Sequence, residues 1–127
     1  MIIFPGVYLK NVQNLEIGTN VSIHEMTYIN AHGGIKIGND VAISHGVSML
    51  SYDHDIYSDC TSFKDANPIV GRIEINNNVW IGAGVRILKD VTIEKDCVIA
   101  AGAVVTRSIK ENSIAAGIPA KIIKSIK

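Results

Sequence analysis

Apolar residues recur at every sixth position in the second half of the chain, without interruption between residues 75 and 105. A second apolar residue precedes each of them by two positions. The recurring residues are Ile75, Ile81, Ile87, Ile93, Ile99 and Val105, and their partners are Ile73, Val79, Val85, Val91, Cys97 and Ala103. A period of six fits neither a 3.6-residue helix nor a lone strand, but it is typical of a parallel β-helix. The two residues of a pair share the inward face of one short strand, and stacking of successive rungs buries them.

The same period extends toward the N-terminus with two interruptions. Hexads begin at residue 17 and run regularly until two extra residues appear in the Asn30–Gly34 segment. The period then stops at Met49 and resumes at Ile75, 26 residues later. This gap predicts one long protruding loop over about residues 50–72, and long loops of this kind commonly carry function.

Three hexads per triangular turn assign each core position to one of three faces. The first face holds residues 17, 37, 75 and 93, the second holds 23, 43, 81 and 99, and the third holds 29, 49, 87 and 105. Both interruptions occur at the corner that follows the third face, on successive turns that are about 4.8 Å apart. Asn30, His32 and the loop residue His54 are therefore expected on one edge of the prism, with Asn30 and His32 as candidate contacts to an acceptor substrate. Residues 1–14 are weakly patterned and are expected to begin or cap the first coil.

Composition and charge narrow the class of protein. The 127 residues contain no linker or charge block, so a single domain over residues 1–127 is expected. The formal net charge is zero, which argues against nucleic acid or an anionic membrane as partner. No basic leader is present and no apolar run approaches about 18 residues, so we expect a cytoplasmic protein with reduced thiols. Cys97 takes an inward hexad position and is expected to be a small core residue.

Two apolar residues are predicted to point outward from the second face. Trp80 and Val98 occupy corresponding positions of successive turns, each between two inward residues. Apolar side chains on the outside of a β-prism indicate contact with another subunit or with a ligand.

Three segments of the sequence resemble one enzyme family. The repeat Ile-Gly-x-x-Val-x-Ile is similar to the hexapeptide-repeat acyltransferases. Residues 75–83, Ile-Asn-Asn-Asn-Val-Trp-Ile-Gly-Ala, resemble the matching stretch of the galactoside and maltose acetyltransferases, as do residues 100–106 and the Gly-Ile-Pro-Ala-Lys tail at 117–121. The resemblance covers about Ile17 to Lys124. It implies an all-β fold, a left-handed parallel β-helix of about four to five triangular coils with the long loop and a short C-terminal tail.

The resemblance also implies roles for individual residues. The catalytic His of this branch lies at the start of the long loop, where His54 stands, although Asp53 and Asp55 replace the family's flanking Gly and Pro. The family binds acetyl-CoA between the subunits of a homotrimer and transfers the acetyl group to a small-molecule sugar. The residues expected to contact acetyl-CoA are Trp80, Ala83, Ala101, Thr106, Arg107, Lys121 and Lys124. The two lysines replace arginines of most relatives, which keeps the charge but loses the bidentate fork.

These residues suit acyl transfer without a covalent enzyme intermediate. A thioester is already activated, and a neutral imidazole can take the proton of an attacking hydroxyl or amine near neutral pH. A backbone N–H at Gly82 or Ala83 is the expected donor to the tetrahedral oxyanion. This chemistry requires no metal. The identity of the acceptor, and the choice between O- and N-acetylation, stay open.

Two alternatives come from other classes of protein. The γ-type carbonic anhydrases use a similar β-helix with zinc held by three His across a subunit interface, and this chain has four His. None of the four has tight metal-ligand spacing. A non-enzymatic β-helix scaffold would need neither the His-bearing loop nor the tail. Metal analysis of the purified protein and a CoA-binding assay distinguish the three hypotheses.

Overall fold

The computed structural model describes all 127 residues, which wind through 18 short β-strands without any α-helix. The strands are β1 (Ile2–Ile3), β2 (Tyr8–Lys10), β3 (Leu15–Ile17), β4 (Val21–Ile23), β5 (Tyr28–Asn30), β6 (Ile35–Ile37), β7 (Val41–Ile43), β8 (Ser48–Leu50), β9 (Tyr52–His54), β10 (Pro68–Val70), β11 (Ile73–Ile75), β12 (Val79–Ile81), β13 (Arg86–Ile87), β14 (Thr92–Ile93), β15 (Cys97–Ile99), β16 (Val104–Val105), β17 (Ser113–Ala116) and β18 (Lys121–Ser125). Short 3-10 turns span Val12–Asn14 and Phe63–Asp65. The chain is therefore all-β, as predicted.

Three sheets form the faces of the solenoid, and all their strands except β18 run parallel. The first sheet has the order β3-β6-β11-β14, the second β1-β4-β7-β12-β15-β17-β18, and the third β2-β5-β8-β13-β16. We call the turns that follow the first, second and third sheets the first, second and third corners. Six parallel strands of the second sheet correspond to about six turns, more than the predicted four to five. The difference arises because residues 1–14 make a turn of their own and β17 adds a rung after the last hexad.

The predicted register between turns is confirmed on all three faces. The paired residues are Ile17, Ile37, Ile75 and Ile93 on the first face, Ile23, Ile43, Ile81 and Ile99 on the second, and Ile29, Met49, Ile87 and Val105 on the third. The inward side chains form one cluster of 24 buried residues. Full burial of each large aliphatic side chain stabilises the fold by about 1.5–3 kcal/mol.

Cys97 lies in this cluster with 2% of its surface exposed, as predicted from its hexad position. Its thiol donates a hydrogen bond to the Lys110 carbonyl oxygen at 3.2 Å. Burial raises the pKa of the Cys97 thiol above its ordinary value. The residue is therefore a core element and an unreactive thiol.

The long loop has a structure of its own. It connects β8 to β11, and β9 pairs with β10 in an antiparallel hairpin that places His54 opposite Pro68 and Tyr52 opposite Val70. Hydrogen bonding along a hairpin restricts the backbone more than an irregular loop does. His54 is consequently presented at the end of a strand.

The first turn also has extra residues at its third corner, as predicted for the second turn. Its strands β1 and β2 pair in parallel with β4 and β5, and the 3-10 turn Val12–Asn14 takes up the extra residues before β3. The third corner is thus wider than a regular hexad corner in the first three turns, and it returns to regular length at Leu88–Asp90.

The C-terminal tail reverses direction and covers the last rung of the second sheet. β17 lies parallel to β15, and β18 then runs antiparallel to β17. All five residues of β18 are exposed. The structure contains no helix with the length and apolar character needed to cross a membrane.

The second corner contains a column of residues with left-handed backbone. These residues are Gly6 (φ 79°), Met26 (φ 61°), Gly46 (φ 67°), Gly84 (φ 70°) and Gly102 (φ 74°). Met26 is the one member with a Cβ atom, and 71% of its surface is exposed. A Cβ disfavours this backbone conformation, while the exposed side chain contributes little burial in compensation.

We predict that Met26→Gly raises the free energy of unfolding by about 0.5–1 kcal/mol, because relief of left-handed strain exceeds the added entropy of the unfolded chain. Denaturant unfolding at fixed protein concentration measures the change. Met26→Ala retains a Cβ and should give no gain. Equal stabilisation by both substitutions would show that the backbone conformation is not the cause.

Candidate active site

A cavity of about 380 Å³ opens at the third corner beside the loop hairpin. Its lining residues are Lys10, Asn11, Asn30, His32, Tyr52, His54, Ala66 and Pro68. The cavity thus brings together Asn30, His32 and His54, the three residues that the spacing places on one edge. We call it the third-corner cavity.

Asn30 organises the floor of this cavity. Only 2% of its surface is exposed, and its Oδ1 accepts hydrogen bonds from Nδ2 of Asn11 at 2.9 Å and from the His32 backbone N–H at 3.1 Å. Its own Nδ2 donates to the Tyr28 hydroxyl at 3.3 Å. A buried amide without such partners would cost about 1–3 kcal/mol. Asn30 therefore fixes the backbone before His32, and one of its two amide hydrogens has no partner in the chain.

Ser51 joins the widened corner of the second turn to the base of the loop. It is fully buried, and its hydroxyl donates to the Asn30 carbonyl at 2.8 Å while accepting the Gly33 N–H at 2.8 Å. The Ser51 carbonyl in turn accepts the Gly71 N–H at 2.8 Å. A Cβ at Gly33 would collide with that carbonyl oxygen, so this close approach requires glycine.

His54 projects from the last position of β9 and is exposed. The two flanking carboxylates are occupied elsewhere: Asp53 accepts the His54 backbone N–H at 2.8 Å, and Asp55 accepts the Tyr57 N–H at 3.2 Å. Neither carboxylate forms a hydrogen bond with the imidazole. The exposed imidazole therefore has no hydrogen-bond partner within the chain.

His32 is held by an aromatic neighbour across the same cavity. Its ring meets the Tyr52 ring edge-on, with centroids 5.5 Å apart and an interplanar angle of 87°. Such edge-to-face pairs are favourable and fix the orientation of both rings. Tyr52 precedes His54 by two positions on β9, so the hairpin positions both histidines.

The second corner presents unpaired backbone N–H groups. The Gly82 N–H donates to the Ile99 carbonyl at 2.8 Å, whereas the N–H groups of Ala83 and Ala101 have no partner in the chain. A Cβ at Gly82 would lie 2.6 Å from the Ala101 nitrogen, so glycine is needed for the turns to stack. Of the two predicted oxyanion donors, only the Ala83 N–H is free.

Trp80 lies on the outer surface of the adjoining second sheet. It is 56% exposed and stacks in register between Ala42 and Val98, as predicted. Its indole N–H donates to Oγ of Ser44 at 3.2 Å. A cavity of about 370 Å³ extends along this surface. The indole is therefore orientated but uncovered within one chain.

The remaining predicted CoA contacts lie near the C-terminal end. Thr106 and Arg107 follow β16 at the third corner, and both are exposed. Lys121 and Lys124 lie on β18, are exposed, and form no salt bridge. Four polar groups with no partner in the chain are thus available to an anionic ligand.

One chain holds the predicted site in two separate parts. None of the predicted CoA contacts lines the third-corner cavity: Ala83 and Ala101 lie on a different edge of the prism from His54, and Thr106 and Arg107 lie at the third corner of a later turn. No three His, Cys, Asp or Glu side chains of the chain are grouped to hold a metal ion. A zinc site of the γ-carbonic anhydrase type would consequently need residues of two subunits.

Lys10 and Asn11 line this cavity but were not predicted from the sequence. Both belong to the first turn, whose pattern is weak. The signal was present, because stepping back 20 residues from Ile29 gives Leu9, which pairs with Ile29 in the structure. That register places Lys10 beside Asn30.

Comparison with known proteins identifies the class of the fold. Residues 72–107 match the family model described as bacterial transferase hexapeptide, six repeats. A hexapeptide-repeat acetyltransferase from Vibrio cholerae, complexed with acetyl coenzyme A, superimposes with a TM-score of 0.91 at 27% identity, over 98% of this chain and 67% of that one. The chain is therefore a hexapeptide-repeat solenoid.

One relative and one solved structure, both described as galactoside acetyltransferases, identify the family more closely. The galactoside O-acetyltransferase of Escherichia coli K12 is 34% identical over 122 residues, 96% of this chain and 59% of that protein. A galactoside acetyltransferase in complex with coenzyme A has a TM-score of 0.90 at 34% identity, over 97% of this chain and 60% of that one. The chain belongs to the hexapeptide-repeat acetyltransferase family. It spans about three fifths of the length of the curated E. coli relative.

Proposed function

We propose that the protein is an acetyl-CoA-dependent acetyltransferase that acts on a hydroxyl or amine of a sugar or sugar-containing acceptor. The observation that carries the proposal is the third-corner cavity, where His54 is free to take a proton beside His32 and Asn30. The relatives bound to coenzyme A and acetyl coenzyme A support the choice of acyl donor.

In the proposed reaction, the His54 imidazole accepts the proton of the acceptor group as its oxygen or nitrogen attacks the thioester carbonyl carbon. The C=O double bond opens to a tetrahedral oxyanion, which the free Ala83 N–H stabilises. The C–S bond then breaks, and the imidazolium returns its proton to the departing CoA sulfur. The products are the acetylated acceptor and CoA, and His54 is again neutral.

A homotrimer would complete the site. The His54 cavity and the Ala83–Ala101 edge lie on different corners of one chain. Acetyl-CoA bound at the second corner of one chain would therefore react beside His54 of a neighbouring chain. The exposed Trp80 surface supports this arrangement, because a subunit or ligand would cover it. A cyclic assembly repeats the same contact three times and closes.

Replacement of the proposed base tests the mechanism. His54→Ala should lower kcat by about 10²–10⁴-fold, the usual contribution of a positioned general base, with little change in CoA affinity. The acid limb of the kcat/KM profile, which reports protonation of the base, should disappear. Steady-state kinetics over pH 5–9 measure both effects.

A loop substitution provides the control. Tyr57 is 93% exposed and does not line the cavity, so Tyr57→Ala should retain activity. A folded His54→Ala protein that acetylates its acceptor within a few-fold of wild type would contradict the assignment, and His32 would be tested next.

Replacement of the two tail lysines tests the placement of the nucleotide. Lys121→Ala with Lys124→Ala should weaken CoA binding by about tenfold or more, but dephospho-CoA binding much less, if their charges meet the 3′-phosphate. Calorimetric titration with both ligands measures the difference. Lys36→Ala removes a charge from the exposed side of β6 and should alter neither affinity. Equal losses for the two ligands would show that the 3′-phosphate is not the target.

A further inference from the structure

The third-corner cavity has an unbalanced charge. Its ionisable lining groups are Lys10, His32, Tyr52 and His54, and no Asp or Glu lines it. The chain as a whole has 12 acidic and 12 basic residues, so this imbalance is local. A concave site lined by one sign of charge favours ligands of the other sign.

Lys10 is the permanent charge in this lining. It ends β2 in register with Asn30, and the turn after it is fixed by the hydrogen bond from Asn11 to Asn30. Its ammonium forms neither a salt bridge nor a hydrogen bond with any group of the chain. The backbone from which Lys10 projects is therefore fixed, and its exposed ammonium has no counter-charge in a salt bridge.

Asp53 and Asp55 flank His54 but neither lines the cavity or forms a salt bridge with Lys10. Their carboxylates accept hydrogen bonds from the backbone N–H groups of His54 and Tyr57, which orient them along their own loop. The adjoining cavity on the other side of His32 differs in charge: it contains Glu16, and its Arg72 pairs with Glu74 at 3.0 Å. Of the two cavities beside His32, only the one that contains His54 is thus lined by a basic side chain and no acidic one.

We propose that the acceptor is an anionic sugar, which carries a phosphate or a carboxylate group that Lys10 binds while His54 faces the hydroxyl or amine. This inference rests on the proposed function and specifies its substrate class. A charge-assisted contact gives a larger gain than a neutral one, and an anion would supply the counter-charge that Lys10 lacks. The cavity volume lies within the range of small-molecule sites, and it suits a monosaccharide with one charged substituent.

Direct binding tests this proposal without relying on turnover. Glucose 1-phosphate, glucuronate and glucose are titrated into the CoA-saturated protein, with calorimetry for affinity and histidine ring NMR signals for location. We expect at least one of the two anionic sugars to bind about tenfold or more tightly than glucose and to shift the His32 and His54 signals. Comparison of the two anionic sugars distinguishes phosphate from carboxylate recognition. Added salt should weaken the preferred ligand and leave glucose unaffected.

Substitutions of Lys10 assign the effect to this residue. Lys10→Gln should abolish the preference for the anionic sugar, Lys10→Arg should retain most of it, and Lys36→Gln should leave it unchanged. An equal affinity for glucose and both anionic sugars, or a preference that survives in Lys10→Gln, would overturn the proposal. Inorganic phosphate binding as tightly as glucose 1-phosphate would also overturn it, because the sugar would then contribute nothing.

Acetylation assays separate this proposal from the proposed function. If the anionic sugar binds through Lys10 but no acetyl group is transferred from acetyl-CoA, the anionic site stands and the acetyltransferase assignment fails. If glucose is acetylated as efficiently as both anionic sugars, the acetyltransferase assignment stands and the anionic acceptor is excluded.

Discussion

The in-register stacking of rungs is the constraint on which the structure depends. Each inward residue lies above its counterpart of the previous turn, as Ile43 lies between Ile23 and Ile81, and backbone hydrogen bonds link the same rungs. An insertion within a strand would move inward side chains to the outside. Extra residues can therefore be accommodated only at corners, and in this chain they are placed at the third corner of three consecutive turns.

That placement gives the second and third corners different chemistry. The widened third corner encloses a polar cavity organised by Asn30 and Ser51, and the loop hairpin adds His54 to it. The second corner stays tight, and at Ala83 and Ala101 it presents small side chains with free backbone N–H groups. Free backbone donors and a polar cavity thus arise on separate edges of one solenoid.

Much of this arrangement follows from the sequence, because a strict period determines which residues share a face. The register of all three sheets and the common edge of Asn30, His32 and His54 were predictable for that reason. The first turn was not predicted, because the apolar pattern of residues 1–14 is weak when taken alone, although the 20-residue step from Ile29 leads to Leu9. Lys10 was missed in consequence. The loop hairpin has no periodic signal, and the free N–H of Ala83 became evident only from the hydrogen bonds of its neighbours.

The central claim is that one chain supplies the acceptor half of each site and its neighbour supplies the CoA half. Co-expression of His54→Ala chains with Ala101→Tyr chains, in which a bulky ring obstructs the CoA edge, tests it most directly. Each variant alone should be inactive, whereas random pairing around a cyclic oligomer should restore about a quarter of wild-type activity in purified mixed oligomers. Mixed oligomers as inactive as the parent variants would contradict the claim, because the two halves would then belong to the same chain.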